Sequence, residues 1–241
     1  MFVSIPEAIM KILHNTDRAV LDGAASDFFI EQTEKILNTK DFVIWAMPGG
    51  RSVSGIFRAL SKRGDIPWGK IHFFIVDERL VSLDDTESNY RLLEQNMTGY
   101  LLRKGYIPKE NIHPFIFKPD KGDNGSGDYR RELKRFGGYF DIMLLSSGED
   151  GHIAGIYPSH HSIKNNYKYF FTMDDSPKPP KERMSSSRRL LLKSKAAVLL
   201  FYGDSKKSAF KRFKDKSITS IECPAKIVSR ISSSLVLTDR E

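Results

Sequence analysis

Three short apolar runs limit what this chain can fold into. FVIWAM (42–47), IHFFIV (71–76) and FDIMLL (140–145) are almost unbroken in hydrophobicity, and each stops on residues a core would not take. The first ends at Pro48-Gly49-Gly50, the second at Asp77-Glu78-Arg79. The third passes through Ser146-Ser147-Gly148 to Glu149, Asp150 and His152. Continuous apolar runs of this length bounded by turn residues read as buried strands. Between them lie stretches with helical spacing: 19–37 (Val20, Leu21, Ala24, Phe28, Ile30, Ile36), 52–61 (Ile56, Phe57, Leu60), 89–102, 128–136 and 206–213. Residues 169–173, 190–192, 196–202 and 235–237 are further strand candidates. Strands alternating with helices predict an α/β fold on a mainly parallel sheet. In such sheets ligands bind outside the carboxyl ends of the strands, where the polar clusters fall.

The 241 residues suffice for one substantial core, and one domain over 1–241 is expected. KPDKGDNGSGD (118–128) reads as a surface loop rather than a linker, and DSPKPPK (175–181) as a rigid extended loop. No apolar run approaches the ~20 residues that span a bilayer, so no membrane partner is expected. The first eighteen residues lack the basic and apolar regions of a signal peptide and suit a short amphipathic helix. Cys223 is the sole cysteine; it can form no internal disulfide, which points to a reducing cytoplasm. The formal charge of +8 fits either a solvated basic face or an anionic small ligand. No nucleic-acid motif accompanies it, so a nucleic-acid partner is not expected.

Several constellations carry possible chemistry. Gly49, Gly50, Arg51 and Ser52 lie between a strand and a helix, where backbone N–H groups and a helix start favour an anion; an ordinary turn is the alternative. Arg79 at a strand exit can fork onto a phosphate, or belong to a surface salt-bridge cluster. His152 beside Asp150 suits a general base with a carboxylate fixing its tautomer, and Gly148 and Gly151 suit backbone donors to an oxyanion. The alternative is a helix N-cap with an exposed histidine. His152, His160 and His161 match no standard zinc spacing. Lys178 and Arg183, around a proline-rigid loop, and Lys206 or Lys207, after Gly203, add cations near strand ends.

Taken in order, GGRS, WGKIHFFIVDERLV with SNY, FDIMLLSSGEDGHIAGIYP, SPKPPKER and GDSK closely resemble the 6-phosphogluconolactonase family over about 42–207. The resemblance implies a doubly wound, Rossmann-like α/β sheet with a few added strands, a fold shared with glucosamine-6-phosphate deaminases. It implies hydrolysis of 6-phospho-D-glucono-1,5-lactone to 6-phospho-D-gluconate in the oxidative pentose phosphate pathway, with no metal or organic cofactor. His152 and Asp150 are then the expected catalytic pair. Gly49, Gly50, Ser52, Arg79, Arg183 and Lys206 are the expected phosphate-binding residues. A monomer or weak homodimer is expected. Deaminases carry a glutamate five residues after this histidine, where this chain has Tyr157. Ser146-Ser147 and Gly155 depart from the lactonase pattern of glycine and serine at those places. A non-catalytic sugar-phosphate sensor is the reading from another class.

Overall fold

A computed structural model of the chain describes residues 9–240. Ten strands, β1 (Ile9–His14), β2 (Val43–Met47), β3 (Ile71–Ile75), β4 (Asp77–Arg79), β5 (Ile112–His113), β6 (Ile142–Ser146), β7 (Phe170–Met173), β8 (Arg183–Ser186), β9 (Ala196–Phe201) and β10 (Ser233–Thr238), build two sheets. The larger is wholly parallel, in the order β1-β10-β9-β6-β2-β3-β5; the smaller is antiparallel, β4-β8-β7.

Both faces of the large sheet are covered, and the pleat divides the core accordingly. Val43, Trp45 and Met47 of β2 face one layer with Phe73, Leu144 and Val198, under α1 (Arg18–Leu37) and α2 (Ser54–Ser61). The same layer takes α3 (Asn89–Leu93) and α4 (Gly99–Arg103), which are joined by a π-helical turn at Glu94–Thr98. Ile44, Ala46, Phe74, Met143, Leu145 and Leu199 face the opposite layer. There they meet α5 (Ser126–Arg135), α7 (Arg188–Leu191) and α8 (Lys207–Lys214), together with Phe170 and Met184 of the small sheet. The helix α6 (His161–Lys164) is a single short turn. Each Leu, Ile or Phe fully buried here contributes roughly 1.5–3 kcal/mol, which explains why the runs tolerate no charge until they end. Asp141 is the exception. It is fully buried, accepts from the Ile44 N–H at 2.9 Å and meets Lys40 at 2.6 Å.

The expected α/β class and doubly wound parallel sheet are observed. Three local expectations are not. The first eight residues lie outside the described ones, but 9–14 is an edge strand rather than amphipathic helix. Its backbone pairs in register with β10, and sheet pairing overrides a weak helical spacing. Residues 190–192 fall at the end of a helical turn capped by Ser187, whose side chain accepts from the Leu190 N–H; three leucines carry no usable period. DERLV does not simply leave a strand into a loop. Asp77–Arg79 starts the second sheet, paired with Arg183–Ser186, which follows directly on the loop expected at 175–181.

Candidate active site

The chain runs outward from β2 to β3 and β5, then returns to lay β6 on the other side of β2. That reversal is the topological switch point of an open parallel sheet, where the loops after two adjacent strands diverge and leave a crevice. A cleft of about 470 Å³ lies there. Gly49, Gly50, Arg51 and Ser52 line it from the β2 exit, and Ser146, Ser147, Gly148, Glu149 and His152 from the β6 exit. The hydroxyls of Ser52 and Ser146 meet across it at 2.8 Å.

His152 sits in a tight turn, not at a helix start. Its Nδ1 lies 2.6 Å from Asp150 Oδ1, which also accepts the His152 backbone N–H at 3.1 Å. Burial pushes the Asp150 carboxyl up. The hydrogen bond and charge of His152, with the backbone N–H groups, outweigh that and hold it well below the usual carboxylate range. An ionised carboxylate can only accept, so the proton belongs on Nδ1 and the lone pair on Nε2. Nε2 makes no hydrogen bond among the described residues, and the imidazole borders the cleft. The ring rests on Tyr157, 4.7 Å between centroids, and against Gly148. A Cβ at Gly148 would stand 2.0 Å from two ring atoms. The expected backbone oxyanion donors are spent elsewhere. Gly148 N–H goes to His152 O and Gly151 N–H to Gly148 O, both closing the turn.

Most of the remaining charged lining is cationic. Arg79 and Arg183 are directly paired residues of β4 and β8. Like charges placed directly opposite across two strands repel, so this register needs negative charge nearby, from neighbouring carboxylates or from a bound anion. Arg79 Nη1 bonds Glu87, and its Nε is buried with no partner among the described residues. Arg183 holds the proline loop through the carbonyls of Pro179 and Pro180, each at 2.9 Å, with Nη1 3.9 Å from Asp77. Lys206 lines the cleft, whereas Lys207 turns to Asp204 at 3.9 Å. Burial lowers the pKa of Lys206, and Glu149 and Asp150 pull it back up. Arg18, Arg51, Arg79, Arg183 and Lys206 thus face the cleft against two carboxylates, Asp77 and Glu149. A site with that balance selects an anion.

Residues 16–237 match the family described as glucosamine-6-phosphate isomerases/6-phosphogluconolactonase. The 6-phosphogluconolactonase of Borreliella burgdorferi is 33% identical over 230 residues, 95% of this chain and 96% of that protein. The chain belongs to this family. The Thermotoga maritima 6-phosphogluconolactonase is 32% identical over 155 residues, covering 63% of this chain and 68% of that protein. A crystal structure of 6-phosphogluconolactonase from the same organism superposes with a TM-score of 0.81 at 25% identity, covering 95% of this chain and 99% of that one. A monomeric glucosamine-6-phosphate deaminase shares the fold, with a TM-score of 0.79 at 20% identity over 95% of this chain and 97% of that one.

All the residues expected of a family member at this site, Gly49, Gly50, Ser52, Arg79, His152, Arg183 and Lys206, border one cleft, with Asp150 directly behind His152. Gly155, one of the departures from the family pattern, packs closely on Ser185 of β8. Gly155 N–H donates to Ser185 Oγ at 2.9 Å, and a Cβ there would strike the Ser185 side chain at 2.7 Å. Sequence reading missed Arg18. Its Nε bonds the buried Asp239 at 2.5 Å, its guanidinium lies 5.4 Å over Tyr202, and Asp239 also accepts the Gly203 N–H at 2.7 Å. One buried carboxylate therefore aims Arg18 and anchors the loop that carries Lys206. The signal available was Asp239 directly after the last strand, but only the sheet order brings β10 beside β9. Asn89, at the start of the helical stretch expected over 89–102, packs on Gly49 and donates to Asp77 O at 2.7 Å.

Proposed function

We propose that this chain hydrolyses 6-phospho-D-glucono-1,5-lactone to 6-phospho-D-gluconate in the pentose phosphate pathway. The observation that carries the reading is one cleft lined both by an imidazole held by a carboxylate and by a paired-arginine anion site. Gly49, Gly50, Ser52, Arg79, Arg183 and Lys206 hold the phosphate. Binding energy from that remote group orients the reacting carbonyl. His152 Nε2 takes a proton from water as its oxygen bonds to the lactone carbonyl carbon. Asp150 supports the imidazolium that forms. The tetrahedral oxyanion develops in the positive field of the cleft. It collapses with cleavage of the bond from carbon to ring oxygen, and that oxygen takes the proton from the imidazolium. The product acid then ionises to solvent.

The deaminase reading lacks support at the same place. The side chain five residues past the histidine is a buried tyrosine whose hydroxyl accepts from Ser176 at 2.8 Å, not a carboxylate. Single-domain action over 1–241 in the cytoplasm, as a monomer or weak homodimer, completes the proposal. The single thiol, Cys223, is buried and unpaired, and no helix among the described residues is long and apolar enough to cross a membrane. The test is hydrolysis of freshly generated lactone, measured above its spontaneous opening, for the wild type and His152→Ala. General-base catalysis predicts a loss of about 10²–10⁴-fold in the variant. Equal rates in both would remove His152 from the mechanism. No acceleration by the wild type, with phosphogluconate still bound, would leave the sensor reading.

A further inference from the structure

We propose that His160, His161 and Asp175 form a binding site for a zinc-like divalent transition-metal ion, separate from the reacting cleft and independent of the lactonase reading. His161 Nε2 lies 2.9 and 3.0 Å from the two oxygens of Asp175, and His160 Nε2 lies 3.5 Å from one of them. The ligand atoms of all three residues fall within 4.8 Å of one another. Zinc bonds nitrogen and oxygen at about 2.0–2.1 Å in tetrahedral geometry, which sets its ligand atoms roughly 3.3–3.4 Å apart. The spacings from the two histidines to Asp175 bracket that value and all three ligand atoms lie within 4.8 Å, so an ion enters with rotation of side chains that are about half exposed at His161 and Asp175. Two imidazoles and a carboxylate, with a fourth position left to water, match zinc, nickel or copper(II) and not a hard cation such as magnesium.

The surroundings supply the outer partner that such a ligand needs. His160 Nδ1 lies 3.0 Å from the hydroxyl of the fully buried Ser162 and 3.2 Å from its N–H. Without an ion, Nδ1 accepts from that N–H and the ring proton sits on Nε2, facing Asp175. An ion takes the place of the Nε2 proton, which then resides on Nδ1 and is donated to Ser162 Oγ. The same hydroxyl receives the Tyr157 N–H at 3.0 Å and so keeps the segment fixed. Asp175 opens the proline loop, and the next residue, Ser176, bonds the Tyr157 hydroxyl behind His152. An ion here fastens that loop to the back of the active site without touching substrate. Spacing among the three histidines could not reveal it, because His152 turns to Asp150 and the third ligand is Asp175.

The test uses full-length protein stripped with a chelator, then titrated with Zn²⁺ by calorimetry and followed by thermal unfolding. One ion per chain is expected. At a hundredfold excess over Kd, the midpoint should rise by about 5–11 °C. Mg²⁺ should give no shift. His161→Ala and Asp175→Asn should each abolish the zinc-dependent rise while His152→Ala retains it. An unshifted wild type overturns the proposal. So does a shift that survives in both His161→Ala and Asp175→Asn, or one that disappears in His152→Ala.

Discussion

Replacing Gly148 with alanine tests the histidine assignment without removing the histidine. The new methyl carbon would stand 2.0 Å from both Cε1 and Nδ1 of His152 and 2.8 Å from Asp150 Oδ1. Ordinary contact starts at 3.4 Å, so the imidazole must retreat by about 1.4 Å or rotate out of its 2.6 Å bond to Asp150. The backbone has no objection of its own, since Gly148 is not among the positive-φ glycines. A misplacement of about 1 Å at a reacting group costs on the order of 10²-fold, and complete loss of a general base costs about 10²–10⁴-fold. The expected outcome is therefore a fall in kcat of about 10²–10³-fold, with KM changed no more than about threefold because the phosphate contacts lie on other loops. Acid release from fresh lactone in weak buffer, with the spontaneous rate subtracted, measures both constants. A thermal midpoint close to wild type excludes misfolding. The double variant with His152→Ala should be no slower than His152→Ala alone, because both changes remove the same group. Wild-type kcat in Gly148→Ala, or a fully additive double variant, would refute the assignment.

Four further outcomes follow from the same geometry. Asp150→Asn removes an acceptor-only partner and frees the imidazole to take the wrong tautomer, so kcat should drop by about 10²–10⁴-fold with little change in KM. Lys206, whose pKa burial depresses, should take up a proton when a phosphate dianion binds at a pH high enough to have removed part of its charge. Calorimetry in buffers of different ionisation enthalpy would detect this, and Lys206→Met should abolish the uptake and weaken binding by roughly 10- to 150-fold, the worth of a charged hydrogen bond. Arg18→Met should raise KM by roughly tenfold for the phosphorylated lactone while leaving the slow opening of unphosphorylated gluconolactone unchanged. His72, packed against Phe136 with its Nδ1 3.0 Å from His113 Nε2, has its pKa lowered to about 4, first by burial and then by His113 and Lys40. The unfolded chain then binds the extra proton between about pH 6.5 and 4. Stability should be full above that window and fall through it, by about 1–2 kcal/mol once solvent screening of this half-exposed ring is allowed for. In urea titrations His72→Phe should flatten the slope, and an unchanged slope would show that other groups set it.

What the chain disclosed on its own depended on the range of the interaction. The parallel strands were legible because a run with both faces buried excludes charge, so FVIWAM and its counterparts stand out from their surroundings. The exits were legible for the converse reason. Gly49-Gly50 and Asp150-Gly151-His152 are costly where they stand unless chemistry uses them. Arg18 was invisible because it enters the cleft through Asp239, a residue at the far end of the chain that meets it only after β10 and β1 pair. The proline loop was half legible. Its rigidity was evident, but not that Arg183–Ser186 continues from it as the central strand of a second sheet.

That second sheet supplies what the parallel sheet cannot. Parallel strands deliver loops to one crevice, but their side chains point into the two packed layers and not along the strand axis toward a ligand. A short antiparallel pair rising from the β3 exit turns its side chains across the crevice, which sets Arg79 and Arg183 side by side in the cleft that His152 borders. Glu78, between Asp77 and Arg79, keeps that strand in place. It is nearly fully buried and accepts the N–H groups of Arg79, Asn89 and Tyr90, each at 2.8 Å, so its charge serves the backbone and not the guanidinium. The arginine pair is thus left uncompensated by its own sequence neighbour. A register that pairs two arginines, one held by Glu87 and the other 3.9 Å from Asp77, still leaves the cleft with more cations than carboxylates, a balance that an anionic ligand completes.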